Sequence, residues 1–201
     1  MKRTRKGQSC KEDSLNPGEL VNLIDVCHSL RSKFIVYSLV FGGLRVGELV
    51  HLKRTWINWE ENTITVPLRQ KCNCKECLEH REGMWKPKTR KGARTFRIDP
   101  RLRPVMENYL NASDGLSVTR QRVWQIIKEL SEIARILHNT YPHCLRATCA
   151  TILAYESMSS PGLQHVMGWA RLSSAESYVK SEEKRAIKEQ DEIYEKYSTK
   201  V

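Results

Sequence analysis

PHCLRAT, at residues 142–148, places an imidazole and a guanidinium three positions apart on one helix. Pro142 holds the segment before it extended, so a helix begins at this point. At a spacing of three residues, His143 and Arg146 share one face of that helix. A His–Arg pair at a helix end is common in proteins, so its meaning depends on what the rest of the chain supplies.

Three other short motifs supply further polar groups of related chemistry. Each has an ordinary structural explanation by itself: a surface ion pair, a buried core tryptophan and a packed helical tyrosine. The motifs are GLRVGEL at residues 43–49 with Arg45 and Glu48, Trp169 after a glycine, and Tyr178 after the capping box SSAE at residues 173–176.

Together the four motifs form a set suited to phosphodiester chemistry. Guanidinium groups bind phosphate oxygens in a bidentate manner and stay charged at any working pH. They also neutralise the charge that develops on phosphorus in the transition state. A tyrosine hydroxyl, with an unperturbed pKa of about 10, becomes a nucleophile only when cations and a base lie close to it.

The order of these motifs resembles the catalytic domain of the tyrosine recombinases, also called phage-type integrases. The resemblance extends from about residue 16 to residue 179 and includes GLRVGEL at residues 43–49, PHCLRAT at residues 142–148 and LQHVMGW at residues 163–169. It implies a site-specific recombinase in which Tyr178, the nucleophile, forms a 3′-phosphotyrosyl link and frees a 5′-hydroxyl. A 5′-hydroxyl of a partner duplex then reverses the step.

The resemblance also assigns roles to the other catalytic side chains. Arg45 and Arg146 would hold the nonbridging phosphate oxygens, and His143 would assist proton transfer at the nucleophile. Trp169 would donate its indole N–H to the phosphate at a position where the family most often has His. Glu48 would support the site by orienting Arg45.

A lysine on a β-hairpin serves the family as general acid for the leaving oxygen. The segment KPKTRK at residues 86–91 offers three lysines. We predict Lys88, because Lys-Thr before a strand fits the family pattern best, with Lys91 and Lys86 as alternatives. His165 falls at a variable position of its motif, and we interpret it as a surface or structural histidine.

The overall pattern predicts an α+β fold, mostly helical, with a small three-stranded antiparallel sheet. Strands are expected near residues 56–59, 63–66 and 94–98. Helices are expected elsewhere, including a third helix at about residues 44–52 and an amphipathic helix whose apolar stripe extends from Val123 to Leu137. We expect a basic N-terminal arm or linker at residues 1–15 and a catalytic domain at residues 16–180. The resemblance implies an N-terminal DNA-clamping domain, so we expect the chain to be either an excised catalytic domain or a minimal recombinase whose basic arm does part of that work.

A cysteine-rich insertion at residues 69–83 interrupts the sheet region. It contains Cys72, Cys74, Cys77 and His80, which are four potential soft ligands within nine residues. Zinc favours such tetrahedral sulfur and nitrogen sets, whereas the alternative is a group of reduced thiols without metal. We predict a structural Zn²⁺ here and no cofactor for catalysis. Similar insertions among archaeal relatives suggest an archaeal virus or mobile element.

Charge and composition agree with a DNA-binding protein. The 201-residue chain has 34 Lys+Arg against 23 Asp+Glu, a formal net charge of +11, and such a surplus favours a polyanionic partner. The sequence has no membrane-spanning segment or export signal, which predicts an intracellular, cytoplasmic or nucleoid location. The resemblance implies double-stranded DNA sites as partners and a homotetrameric synapse, with residues 181–201 docking on a neighbouring protomer.

Two alternative functions fit the same residues. A type IB topoisomerase-like enzyme would relax supercoils by the same chemistry without exchanging strands between duplexes. A recombinase-derived DNA-binding protein would keep the basic surface but no longer cut DNA. The second alternative requires the loss of a catalytic group, and every family position listed above is occupied.

Overall fold

A computed structural model describes residues 14–179 together with Gln190, Asp191 and Tyr194. The predicted arm at residues 1–15 and the predicted docking tail at residues 181–201 therefore lie almost entirely outside the described residues. Within the described part, nine α-helices accompany two small antiparallel sheets, which confirms the predicted α+β class. The helices are α1 (Pro17–Asp25), α2 (Leu30–Val40), α3 (Val46–Leu49), α4 (Lys75–His80), α5 (Leu102–Ala112), α6 (Arg120–Ile133), α7 (Pro142–Tyr155), α8 (Ser160–Met167) and α9 (Ser173–Val179).

The main sheet has three strands in the order β1-β2-β5. They are β1 (Ile57–Asn58), β2 (Thr63–Val66) and β5 (Arg94–Arg97), and both pairings are antiparallel. Ile64 and Phe96 are register partners and both are buried. The predicted three-stranded sheet is thus present, with alternate residues of each strand facing the core.

The cysteine-rich insertion forms its own small unit between β2 and β5. It consists of β3 (Gln70–Lys71), helix α4 and β4 (Met84–Trp85), and β3 pairs antiparallel with β4. The insertion is therefore a separate two-stranded sheet with a short helix, and it contacts Trp56 and His51 through Gln70 and Trp85.

Helix α2 lies at the centre of the core, packed against α5 and α7. Phe34, Ile35 and Leu39 of this helix are fully buried, and the Phe34 ring stacks on Tyr109 of α5 with 4.1 Å between ring centroids. This burial on several faces explains the nearly all-apolar sequence of α2. Helix α2 also packs against α3 and α7, which carry polar residues of the motifs.

Two predicted helix boundaries were wrong. The third helix, expected over residues 44–52, is a single turn, α3, which starts after the glycine turn and Arg45. The amphipathic stripe expected to continue to Leu137 stops when α6 ends at Ile133, and Leu137 is 99% exposed. Among the described residues, no helix has the length and apolar character needed to cross a membrane.

Candidate active site

Three of the four motifs line one open cleft of about 700 Å³, and Tyr178 of the fourth motif is not among its lining residues. The motif residues that line it are Arg45, Glu48, His143, Arg146 and Trp169. They come from α3, from the start of α7 and from the turn after α8, which are far apart in sequence. The fold therefore brings together the groups that the sequence predicted would act together.

Helix α3 positions Arg45 and Glu48 through a capping arrangement. The backbone N–H of Arg45 donates to Glu48 Oε2 at 2.9 Å, and Arg45 Nη1 donates to Glu48 Oε1 at 2.7 Å. Glu48 is only 2% exposed, whereas 24% of the Arg45 side chain is open to solvent. The carboxylate thus anchors Arg45 from the protein side and leaves part of its guanidinium facing the cleft.

Arg94 of β5 is a site residue that the sequence analysis missed. Its side chain is 1% exposed, and Nη1 and Nη2 donate to Glu48 Oε1 and Oε2, each at 3.1 Å. The alternation along β5, which buries Arg94 and Phe96, was the available signal, since it places a charged residue on the inner face. Arg94 therefore fixes the carboxylate of Glu48, and Glu48 in turn fixes Arg45.

Arg146 completes a buried cluster of three guanidiniums around one carboxylate. Its Nη1 lies 3.9 Å from Glu48 Oε2, and the side chain is almost completely buried. Burial lowers the pKa of Arg146 to about 9, against the opposing effect of Glu48, so the group remains protonated at neutral pH. Burial alone would raise the pKa of Glu48, but Arg94 and Arg146 outweigh it and the pKa is lowered. The cluster of three guanidiniums and one carboxylate therefore has a net positive charge, which favours binding of an anion.

The C-terminal end of α8 gives the three arginines a common support. Successive backbone carbonyls accept one hydrogen bond from each: Val166 from Arg94 Nε at 2.7 Å, Met167 from Arg146 Nη2, and Gly168 from Arg45 Nη2 at 2.6 Å. Carbonyls of the last helical turn have no partner within the helix and attract cations. One helix end therefore sets the relative positions of all three guanidiniums.

Gly168 ends α8 in the left-handed conformation, with φ of +59°. A Cβ at this position would lie 3.0 Å from the Arg94 side chain and 3.0 Å from the Lys91 carbonyl oxygen. Only glycine adopts this conformation without strain and leaves that space free. The turn directs the chain into Trp169 at the edge of the cleft.

Tyr178 is placed on α9 against Trp169. The two rings stack with 5.3 Å between centroids and 18° between planes, and Tyr178 is 6% exposed. His143, at the second position of α7, is exposed and lines the cleft. The predicted nucleophile therefore lies next to Trp169, and the predicted proton-transfer group lies on the cleft wall.

The predicted general acid lies in the loop between β4 and β5. Lys88 and Lys86 are exposed and line the cleft, whereas Lys91 is not among its lining residues. A Cβ on Gly92, at the end of this loop, would be 3.5 Å from Arg45 Nη1, so the loop packs directly beside Arg45. His165 lies elsewhere, with Nε2 3.0 Å from the Thr95 carbonyl oxygen.

The structure changes the predicted ligand set in the insertion. The three thiols of Cys72, Cys74 and Cys77 cluster with His51, which follows α3, and not with His80. The side chain of His80 is 71% exposed and lies 3.9 Å from Glu79. The spacing within the insertion suggested His80, but His80 at the end of α4 does not belong to the cluster that the thiols form. His51 was missed because it lies 21 residues before Cys72.

Comparison with known proteins gives one family by sequence profile and by curated relatives. The profile of the "Phage integrase family" matches residues 13–185. Two curated relatives are named tyrosine recombinase XerA: that of Pyrococcus horikoshii is 29% identical over 183 residues, and that of Pyrococcus furiosus is 31% identical over 185 residues. Each alignment covers 83% of this chain but only 56% and 57% of the relative, so the chain spans about half of their length.

Solved structures show the same fold. A crystal structure of XerA recombinase superposes with a TM-score of 0.66 at 22% identity, covering 92% of this chain and 64% of that one. The integrase of transposon Tn1549 in complex with a circular intermediate DNA gives a TM-score of 0.69 at 19% identity, covering 96% of this chain and 68% of that one.

Proposed function

The chain belongs to the phage integrase family, and we therefore propose that it is a site-specific recombinase that cuts and rejoins DNA through a covalent link to Tyr178. The observation that carries this proposal is the convergence of Arg45, Arg146, His143 and Trp169 on one cleft, with the Tyr178 ring stacked on Trp169. We assign residues 16–180 to the catalytic domain. The proposal concerns the whole protein's activity, whereas the alignments cover only 56% and 57% of the curated relatives.

The first step is attack on a scissile phosphate in the cleft. The Tyr178 oxygen bonds to phosphorus, the bond to the 5′ oxygen breaks, and the products are a 3′-phosphotyrosine and a 5′-hydroxyl. Arg45 and Arg146 bind the nonbridging oxygens and stabilise the charge that builds on them in the transition state. Both guanidiniums are already held by Glu48 and the end of α8, which limits the rearrangement that phosphate binding requires.

Proton transfers accompany bond breaking and making. Lys88 gives a proton to the departing 5′ oxygen, and His143 assists removal of the proton from the Tyr178 hydroxyl. The exposure of Lys88 on the cleft wall, in a loop beside Arg45, supports this role, and Lys86 is its alternative. The second step reverses these movements with the 5′-hydroxyl of a partner strand, so no hydrolysis and no external energy are required.

The partners proposed are double-stranded DNA sites and further copies of the chain in a tetrameric synapse. The net charge of +11 supports DNA binding that weakens steeply with salt. Two of the structural relatives are described as bound to DNA substrates, the Tn1549 integrase and the XerH recombinase. We propose that the protein acts on DNA in the nucleoid or cytoplasm.

Catalysis by this set of groups requires no cofactor, since the nucleophile, the cations and the acid are all side chains. We propose in addition that the thiol cluster of the insertion holds a structural Zn²⁺. The donor set of three thiols and one imidazole, all within 4.8 Å of one another, supports that proposal.

A covalent trap tests the recombinase proposal. The protein and the Tyr178→Phe variant are incubated with nicked duplexes tiled across the DNA that flanks its own gene, and the products are run on a denaturing gel. A shifted band with wild type that is absent with Tyr178→Phe is the expected result. Tyr155→Phe, which alters an exposed tyrosine outside the cleft, is the matched control and should form the band normally.

Two outcomes would contradict the proposal. Salt-sensitive DNA binding without any covalent band, even after an N-terminal DNA-clamping domain is joined to the chain, would favour a protein that binds DNA without cutting it. Relaxation of a supercoiled plasmid without strand exchange between two sites would favour the topoisomerase-like activity.

A further inference from the structure

We propose that His51, Cys72, Cys74 and Cys77 form a tetrahedral Zn²⁺ site that cross-links the end of helix α3 to the cysteine-rich insertion. The site differs from one built within the insertion, because one of its four ligands belongs to the catalytic part of the fold. It does not depend on the DNA reaction and is tested separately from it.

The distances between the ligand atoms fit a tetrahedral metal. His51 Nε2 lies 3.5 Å from Cys74 Sγ and 3.5 Å from Cys77 Sγ. Zinc bonds of about 2.3 Å to sulfur and about 2.0 Å to nitrogen at tetrahedral angles separate N and S by about 3.5 Å, and two sulfurs by about 3.8 Å. All four ligand atoms lie within 4.8 Å of one another, so closing the set takes about 1 Å of movement or less.

The orientation of the His51 ring favours metal binding through Nε2. His51 Nδ1 lies 2.7 Å from the Gly47 carbonyl oxygen, and because a carbonyl only accepts, Nδ1 carries the proton. The lone pair of Nε2 then faces the thiols. A histidine ligand held by a hydrogen bond from its other nitrogen to a carbonyl is the usual arrangement in zinc sites.

The surroundings of His51 fix it to the insertion on two further sides. The Gln70 side-chain amide donates to the His51 carbonyl oxygen at 2.7 Å, and the indole N–H of Trp56 donates to the Gln70 side-chain oxygen at 2.7 Å. The His51 ring stacks on Trp85 of β4 with 5.3 Å between centroids. Such support keeps a ligand oriented before metal arrives, which favours binding.

The burial of the ligands suits a structural and not a catalytic metal. His51, Cys72 and Cys77 are buried, and Cys74 is the exposed ligand on the fourth side. Four protein ligands leave no position for water or substrate, as in structural zinc sites. Binding converts three thiols to thiolates and releases three protons per Zn²⁺ when all three start protonated.

The location of the site indicates which parts of the fold a bound metal would hold together. His51 follows helix α3, whose cap is Arg45, and both residues line the same cleft. The insertion contributes Glu76, Arg81 and Trp85 to that cleft. A metal bond from His51 to the insertion would therefore hold one wall of the cleft against the helix that carries Arg45.

Cobalt substitution tests the proposal directly. Reduced, metal-free protein is titrated with Co²⁺, and one equivalent is expected to produce thiolate charge-transfer bands and the intense visible bands of tetrahedral cobalt. One equivalent of Zn²⁺ then removes them. Cys74→Ser changes an exposed ligand without disturbing the core, and we expect it to weaken binding by at least about tenfold and to alter the spectrum.

The fourth ligand is identified by a matched pair of variants. His51→Gln is expected to lose tight binding, whereas His80→Ala is expected to bind Co²⁺ as wild type does. Because His51 packs against Trp85, its replacement also removes a core contact, so nitrogen-15 NMR of zinc-loaded His80→Ala provides a second measurement. It is expected to retain one histidine with metal-bound Nε2 and protonated Nδ1.

The following results would overturn the proposal. Wild type that shows no tetrahedral cobalt spectrum would exclude the site. A wild-type spectrum in Cys74→Ser would exclude that ligand and with it the four-ligand set. Loss of binding in His80→Ala would assign the fourth position to His80 and remove the link to α3.

Discussion

The guanidinium of Arg94 faces the carboxylate of Glu48 with two parallel hydrogen bonds of 3.1 Å. The pair can affect the cleft even though neither residue contacts DNA in this role. Glu48 in turn accepts from Arg45 at 2.7 Å, so the position of the cleft-facing arginine depends on a buried pair behind it. Buried ion pairs of this kind contribute little net stability when intact but are costly to break.

Replacing Arg94 with lysine should therefore destabilise the protein. Lysine keeps the charge but cannot pair with both oxygens of Glu48 and also donate to Val166 and Gly92. We expect a loss of about 2–4 kcal/mol in the free energy of unfolding, measured by urea denaturation. Arg97→Lys, on the exposed face of the same strand, should cost under about 0.5 kcal/mol. Equal effects of the two variants would contradict the buried-pair interpretation.

The lowered pKa of Glu48 predicts a specific acid sensitivity. Because its pKa in the folded state lies below the ordinary value of 4.5, the unfolded state binds this proton more readily. The resulting stability is fully present above about pH 4.5 and is lost as pH falls through the folded-state pKa. Glu48→Gln should lower the free energy of unfolding at pH 7 and flatten its dependence on pH below 4.5.

The control for that experiment is Glu107→Gln, which removes the half-buried partner of Arg103 on α5. A helix pair at i,i+4 is worth about 0.3–0.5 kcal/mol, so the pH profile of its unfolding should follow wild type. A Glu48→Gln profile as steep as that of wild type would show that Glu48 does not titrate as described.

Gly168→Ala should disturb the site through the backbone. The positive φ of 59° and the 3.0 Å approach to Arg94 and to the Lys91 carbonyl both oppose a Cβ. We expect a loss of about 1–3 kcal/mol in thermal or chemical unfolding. Gly47→Ala is the matched control, since a Cβ there meets nothing within 4 Å and alanine favours a helix. It should leave stability unchanged or slightly raised.

Trp169 is expected to serve through its N–H and not only through packing. Trp169→His keeps a donor, whereas Trp169→Phe keeps an aromatic ring to stack on Tyr178. If the indole N–H donates to the scissile phosphate, the rate of covalent-complex formation should fall by roughly 10²-fold in Trp169→Phe and much less in Trp169→His. The opposite order would indicate that stacking on Tyr178 is the main contribution.

Chelation should loosen the insertion if the zinc proposal holds. Removing the metal takes away the bonds between His51 and the three thiols, and α4, with only six residues, is too short to persist by itself. Tryptic cleavage at Lys75 and Arg81 should become faster in metal-free protein and return to its initial rate with Zn²⁺. Cleavage at Arg122, on the exposed face of α6, is the internal control.

Several elements were predictable because they carry local signals. The capping box of Asn16 and Glu19 fixed the start of α1, and both of its hydrogen bonds are present at 2.9 Å. Strands β1, β2 and β5 followed from alternation and turn residues. Three of the four motifs located the cleft, and the fourth supplied Tyr178, which stacks on Trp169 at its edge.

What escaped prediction depends on contacts between distant parts of the chain. Arg94 meets Glu48 across 46 residues, and His51 meets the thiols across more than 20. The spacing that favoured His80 is a property of the sequence alone, whereas the His51 position follows from how α3 and the insertion pack.

The end of α8 has an implication for how this site is encoded. The three arginines rest on the main-chain oxygens of residues 166–168, and every amino acid has such an oxygen. The placement of the arginines therefore depends on the residue at which α8 ends, and Gly168 determines that residue. Exposed neighbours such as His165 can differ without altering the arrangement of the three arginines.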